Sequence, residues 1–153
     1  MDFFKDIRKG ENILVLGAGG NTITKQLAEH LSNLKFVAFD LKYVVTPPNT
    51  KTENMVTADW GKIPFGDSVF AGVVSVYSFP YWETIDDNLL TNVKDISRCS
   101  KAGTRWYFNG RNNESNFFEM IKNHGWEIDE PNVYRSSEDL ENNYFAGRAV
   151  KKR

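Results

Sequence analysis

Four apolar residues in a row, Ile13 to Leu16, stand out from a mixed amino-terminal stretch. An unbroken run predicts a strand buried on both faces, since a half-exposed strand would alternate. Gly17, Gly19 and Gly20 follow at once, and Ile23, Leu27 and Leu31 then recur one helical turn apart. The pattern predicts a strand, a glycine turn and a helix from about Thr22 to Ser32 with Asn21 as its cap. Lys35 to Asp40 predicts a second buried strand ending in an acid. Tyr43 to Asn54, with Pro47-Pro48, reads as loop where a βα repeat would carry a helix. Asn54 to Ala58 predicts a short third strand before Asp59. Ile63-Pro64-Phe65-Gly66-Asp67 predicts a turn, and Val69 to Tyr77 a fourth strand.

Phe79-Pro80-Tyr81-Trp82 leaves that strand abruptly. Ile85, Leu89, Val93 and Ile96 share one helix face, with Thr84 and Asp87 as a capping pair and Lys101-Ala102-Gly103 as the stop. Thr104 to Asn109 predicts a fifth strand. Ser115 to His124 predicts a last helix, ended by Gly125. Trp126 to Ile128, extending toward Tyr134, and Tyr144 to Val150 read as two closing strands without a helix between them, hence antiparallel. Residues 2–9 predict a short helix stopped by Gly10, and Lys151 to Arg153 a solvated tail. Alternating strands and helices predict a parallel α/β sheet covered on both faces, with ligands outside the carboxyl ends of the strands. Gly17 to Asn21, Asp40, Asp59 and Ser75 to Tyr81 would meet at that edge.

The length of 153 residues suits one domain with a single core. A net charge of −1 gives no indication of nucleic-acid binding. The one cysteine, Cys99, fits a reducing compartment and reads as core filler rather than a nucleophile. His30 and His124 lie without acids or cysteines at ligand spacing, so no metal site is expected. The first residues carry acids and are not a signal peptide, and no apolar run reaches the ~20 residues of a membrane span. The expected location is the cytoplasm.

Glycines after a strand free the backbone to lie against a ligand, and the helix beyond presents unpaired N–H groups. The same turn occurs in βα units that bind nothing. Asp40 follows at about the ~20 residues at which an acid binds ribose hydroxyls. Asp59 with Trp60 offers an acceptor for an exocyclic amine beside an aromatic cover for the ring. Either acid alone is as readily a solvated turn; together behind a glycine turn they describe a nucleoside pocket.

From about Asn12 to Val150 the chain resembles the class I S-adenosylmethionine-dependent methyltransferases. Val15-Leu16-Gly17-Ala18-Gly19-Gly20-Asn21 is similar to that family's glycine motif. Asp40, with Leu41 beside it, matches the ribose-holding acid, and Ala58-Asp59-Trp60 the acid that contacts adenine. Ile63 to Phe70, running into Ser75, resembles the approach to the fourth strand, and Ser97 to Gly103 the "R-x-L-K-x-G-G" helix end. The resemblance implies a Rossmann-like, seven-stranded, mostly parallel sheet with an antiparallel C-terminal strand. It also implies S-adenosylmethionine as cofactor, bound by Gly17, Ala18, Gly19, Gly20, Asn21, Asp40, Leu41, Asp59, Trp60 and Ser75.

Ser78-Phe79-Pro80-Tyr81 partly resembles the motif of methyltransferases acting on amino nitrogens, with Ser78 aligning the amine and Tyr81 stacking on the acceptor. The bland reading is that these aromatics only roof the pocket. Methyl transfer from a sulfonium is an in-line displacement in which positioning supplies much of the rate, so a catalytic His or Cys is not required. The acceptor is not legible; a protein partner or a second copy completing its site is one expectation. A second reading is a non-catalytic methyltransferase-like module. It rests on Val15 where the family usually has an acid, on Asn21 and Ala71, and on the missing helix after the second strand. A nicotinamide-dependent reductase is a third reading, disfavoured by the closing hairpin and by Asp59-Trp60.

Overall fold

Leu14 and Leu16 face one apolar layer and Ile13 and Val15 the other, so the opening strand is buried on both sides. The computed structural model describes Phe4 and residues 6–17, 22–40, 55–57, 62–75, 87–111, 114–135 and 143–152. Through them run β1 (Asn12–Leu16), α1 (Thr22–His30), β2 (Lys35–Asp40), β3 (Met55–Thr57) and β4 (Phe70–Ser75). α2 (Asp87–Cys99), β5 (Ser100–Arg111), α3 (Glu114–Asn123), β6 (Trp126–Arg135) and β7 (Asn143–Lys151) follow. The strands form a seven-stranded sheet in the order β3-β2-β1-β4-β5-β7-β6. Neighbours from β3 to β5 pair in parallel, while β7 runs antiparallel to both β5 and β6. This is the expected mostly parallel sheet with its antiparallel closing strand.

One layer packs Leu14, Leu16, Val73 and Trp106 of the sheet against Val93 and Ile96 of α2 and Phe117 and Ile121 of α3. Trp106 meets Trp126 and Phe117 edge-on, with ring centres 5.2 and 5.8 Å away, the arrangement that aromatic quadrupoles favour. The other layer packs Ile13, Val15, Phe36, Ala38 and Val74 against Leu27 of α1 and Leu34. Phe4 completes it, edge-on to Phe36 and Tyr107. Gly72 makes room for it: a Cβ there would come within 2.8 Å of Ile13 Cδ1 and 3.1 Å of Phe4 Cε1.

Three expectations are corrected. The described part of the 2–9 stretch forms turns, not a helix. Its Ile7 N–H donates to the Phe4 carbonyl at 3.0 Å and the chain moves on. A run that short cannot offset helix nucleation, and burial of Phe4 sets its conformation instead. Second, the helix stop at Gly103 falls earlier. α2 ends at Cys99, Ser100 already pairs with Phe70, and the register then jumps to Arg105 opposite Gly72. Gly103, at φ 78°, occupies the resulting bulge, which the Thr104 hydroxyl closes by donating to the Phe70 carbonyl at 2.8 Å. Third, Lys151 is not tail. It ends β7, and its ammonium donates to the Ser97 carbonyl and, at 2.6 Å, to that of Ser100. The Ser97 oxygen belongs to the last turn of α2, where carbonyls lack helical partners, and Ser100 is the residue that follows the helix.

The remaining boundaries follow the reading closely. Gly125 ends α3 at φ 86°. β4 begins at Phe70 rather than Val69, and β5 is longer than expected; the expected ends of β3 at Asn54 and Ala58 and of β4 at Tyr77 lie outside the described residues. The Pro47-Pro48 stretch and the Thr84 cap lie outside the described residues.

Candidate functional site

The carboxyl edge of the sheet carries those of the candidate residues that are described. Leu16, the last residue of β1, is aligned with Phe39 of β2 and with Ser75 of β4. Gly17 and Asp40 are therefore each the next residue beyond a paired position, on adjacent strands. Asp40 is itself aligned with Thr57, the last residue of β3. Gly17 has φ 63°, a left-handed value that a side chain would strain, so the chain turns sharply on leaving β1. α1 begins five residues on, and its first turn carries no acid; the first N–H groups of a helix have no intrahelical partner. Such a helix start favours a negative group nearby.

Thr24 lies in this first turn and was not singled out by the sequence. It is 8% exposed, and its hydroxyl has no hydrogen-bond partner among the described residues. The spacing to Leu27 and Leu31, three and seven positions on, puts it on the side of α1 that faces the sheet. A hydroxyl within an apolar stripe at helical spacing was the available signal.

Ser75 is at the edge as expected, and fully buried. Its hydroxyl accepts from the indole N–H of Trp106 at 3.0 Å. The side chain is thus turned into the aromatic layer, and what β4 offers to the edge at this point is main chain. Ala18, Gly19, Gly20, Asn21, Leu41, Asp59, Trp60, Ser78 and Tyr81 lie outside the described residues. Of Asp40 the strand position is described.

Other reactive groups are accounted for elsewhere. Cys99 is fully buried at the end of α2, and burial pushes its thiol up from 9.0. His30 is exposed, with Nδ1 2.8 Å from the Gln26 carbonyl; His124 is half-buried, with Nδ1 2.8 Å from that of Met120. A cleft of about 250 Å³ opens at the opposite, amino-terminal edge, lined by Asp6, Arg8, Glu11, Lys101 and Arg105 among others. Lys101 there pairs with Glu11, and Arg105 with Asp6 at 2.8 Å, so these two of its three cations are already met. No helix among the described residues is long and apolar enough to cross a membrane.

No protein-family model matches the chain, and no curated protein matches it. Solved structures do. A S-adenosylmethionine-dependent methyltransferase of Methanosarcina mazei superposes with a TM-score of 0.73, over 97% of this chain and 95% of that one, at 14% identity. Phosphoethanolamine N-methyltransferase 2 of Haemonchus contortus, solved with S-adenosyl-L-methionine, gives 0.75 over 99% of this chain and 51% of that one, also at 14% identity. A Haloferax volcanii chain solved in complex with a methyltransferase activator gives 0.68, over 97% and 85%, at 15% identity. At such identities the likeness is one of architecture. The fold of this chain is that of the class I S-adenosylmethionine-dependent methyltransferases.

Proposed function

We propose that this protein binds S-adenosylmethionine at the carboxyl edge of its sheet and transfers the methyl group to an acceptor. The observation that carries the proposal is the placement of Gly17, at φ 63°, beside the end of β2, where Asp40 stands. A tight main-chain bend next to a carboxylate suits an adenosyl ligand: the bend admits close approach, and the acid accepts from vicinal ribose hydroxyls. The start of α1, without an acid in its first turn, suits the carboxylate of the donor's amino-acid end. Asp59 and Trp60, close behind β3, are assigned to the adenine amine and ring.

The donor supplies an activated methyl on a sulfonium, so the protein's task is alignment. Ser78 and Tyr81, which follow β4 in the chain, are assigned to the acceptor: Ser78 accepts from an amine and Tyr81 stacks on it. An amino nitrogen is therefore the proposed acceptor atom. A partner protein completing the acceptor site fits the short connections of this chain.

The test is titration calorimetry with S-adenosylmethionine and S-adenosylhomocysteine, followed by tritiated-methyl transfer to fractionated cell extract. Binding of both and label on an acceptor are expected. Absence of binding to either overturns the reading. Binding without transfer to any fraction favours the non-catalytic module, to which Val15, 2% exposed among apolar neighbours, also points.

A further inference from the structure

The cleft at the amino-terminal edge of the sheet holds more hydrogen-bond donors than the protein itself uses. The stretch before β1 lines it with Asp6, Arg8 and Glu11, and the bulge at the start of β5 with Lys101 and Arg105. Three cations thus stand against two acids. Lys101 spends one N–H of its ammonium on Glu11, and Arg105 one of its guanidinium on Asp6. Their other N–H groups, and the whole exposed guanidinium of Arg8, have no hydrogen-bond partner among the described residues. Each acid likewise keeps one oxygen unused. Gly103 also lines the cleft, at φ 78°, and a Cβ there would meet nothing within 4 Å, so the bulge leaves the space open. The volume of about 250 Å³ lies just under the ~300–1,000 Å³ of small-ligand sites, which suits a small polar molecule.

We infer that this cleft binds a phosphate monoester of a small hydroxyl-bearing molecule, the class of the sugar phosphates. A phosphate monoester offers three acceptor oxygens and nearly two negative charges at neutral pH. A guanidinium fork meets such a group with two N–H bonds at once, and an ammonium adds a compact charge. Arg8 comes from one chain segment and Arg105 with Lys101 from another, so the phosphate takes donors from both walls. Asp6 and Glu11 hold Arg105 and Lys101 in place beforehand, which reduces the cost of ordering them on binding. The unused oxygens of the two acids accept from hydroxyls of the ligand. The same acids repel a long phosphate chain, Asp6 being 60% exposed at the mouth, so the cleft favours a small ligand over a nucleic-acid strand. The site lies across the sheet from the carboxyl edge and is independent of what that edge binds.

The experiment is a nitrogen–proton NMR titration of the full chain with ribose 5-phosphate, with ribose and with a short oligouridylate, at fixed ionic strength. Two variants accompany the wild type: Arg8→Ala in the cleft, and Lys94→Ala, an exposed cation of α2 outside it. Melting temperatures of both are expected to match the wild type. Ribose 5-phosphate is expected to saturate with a Kd on the order of a millimolar, and ribose to leave the spectrum unchanged. The shifted amides are expected at residues 6–11 and 101–105. Arg8→Ala is expected to weaken the phosphate about tenfold and Lys94→Ala to leave it as it was. Titration without saturation overturns the inference. So does equal affinity of wild type and Arg8→Ala, or an equal loss in Lys94→Ala, which marks unspecific attraction of anions. Shifts gathered at Gly17 and the start of α1 overturn it by placing the phosphate at the other edge. Oligouridylate bound where ribose 5-phosphate is not overturns the small ligand in favour of a nucleic-acid surface.

Discussion

The guanidinium of Arg98 donates to the carbonyl oxygen of Phe65 at 2.7 Å, across 33 positions of sequence. The same side chain reaches the Ile63 carbonyl at 3.1 Å, Asp67 at 2.9 Å and Asp95 at 3.0 Å. Asp95 uses its other oxygen to accept the Ile63 N–H at 2.9 Å. In return, Ser68, at φ 53°, and Val69 donate their N–H groups to the last carbonyls of α2, those of Arg98 and Cys99. The segment that leads to β4 and the end of α2 thus satisfy one another's backbone.

Replacing Arg98 by alanine is expected to lower stability by about 2 kcal/mol, because the Ile63 and Phe65 carbonyls lose their donor together. Lysine recovers only part of this, since an ammonium cannot present the planar fork that spans both oxygens. Urea unfolding of the two variants checks the order. An alanine variant with an unshifted midpoint would contradict it.

Lys151→Met keeps the aliphatic stem and removes the donors to Ser97 and Ser100. A loss of about 1–2 kcal/mol is expected, with faster amide exchange over residues 97–100. Exchange measured by mass spectrometry localises the effect; a change spread evenly over the chain would count against it.

Alkali is expected to weaken the fold in a defined window. Burial is the largest cause that raises Cys99 above 9.0 and Tyr107 above 10.0. Each group is neutral when protonated, and the folded chain keeps the proton to higher pH than the unfolded chain does. The stability this provides is complete below the unfolded values and is lost as pH climbs through the folded ones. Unfolding midpoints should hold steady up to about pH 8 and fall from about pH 9. Cys99→Ala should remove the earlier part of the fall. The Cys99 thiol should resist a chromogenic disulfide reagent at pH 8 until the protein is unfolded.

Val15 pairs with Ala38 on one side and Val74 on the other, within an apolar layer. Placing an acid here, Val15→Asp, is expected to cost about 3 kcal/mol or more, since it would bury a carboxylate among the apolar side chains of that layer. Chemical denaturation tests this. A stable Val15→Asp that also binds the donor more tightly would show that the layer adapts to an acid.

Asp40→Asn is expected to weaken S-adenosylhomocysteine binding between about tenfold and a hundredfold and to leave the melting temperature of the free protein unchanged. Calorimetry beside a thermal melt separates the two effects. Affinity equal to the wild type would detach Asp40 from the ribose.

The architecture was legible where one physical demand dominated. Ile13 to Leu16 read correctly because a strand between two helix layers has no polar side. The antiparallel end read correctly because nothing between Ile128 and Tyr144 makes a helix long enough to cross back. Gly103 was misplaced because a left-handed glycine looks the same at a helix stop and in a bulge; Phe70 and Thr104, which decide between them, are far apart in sequence. Residues 2–9 misled because their alternation expresses the burial of Phe4 against Gly72, a distant partner. At the carboxyl edge, Gly17 and Asp40 follow paired residues of neighbouring strands, a placement that the strand reading already implied. The direction of the Ser75 side chain was not readable, since Trp106 captures it from another strand. The burial of the Thr24 hydroxyl was not readable, since a threonine at helical spacing from Leu27 and Leu31 fits a solvated or a covered position equally.

The sheet order has a consequence for biosynthesis. β7, late in the chain, lies between β5 and β6, and β6 joins the sheet through β7. A ribosome releasing this chain delivers Trp126 to Arg135 before their neighbour exists. Until residues 143–151 emerge, the nascent polypeptide holds Trp126 on a strand without its hydrogen-bonded neighbour, and a chaperone arriving in that interval would meet an unfinished sheet whose closing piece comes late.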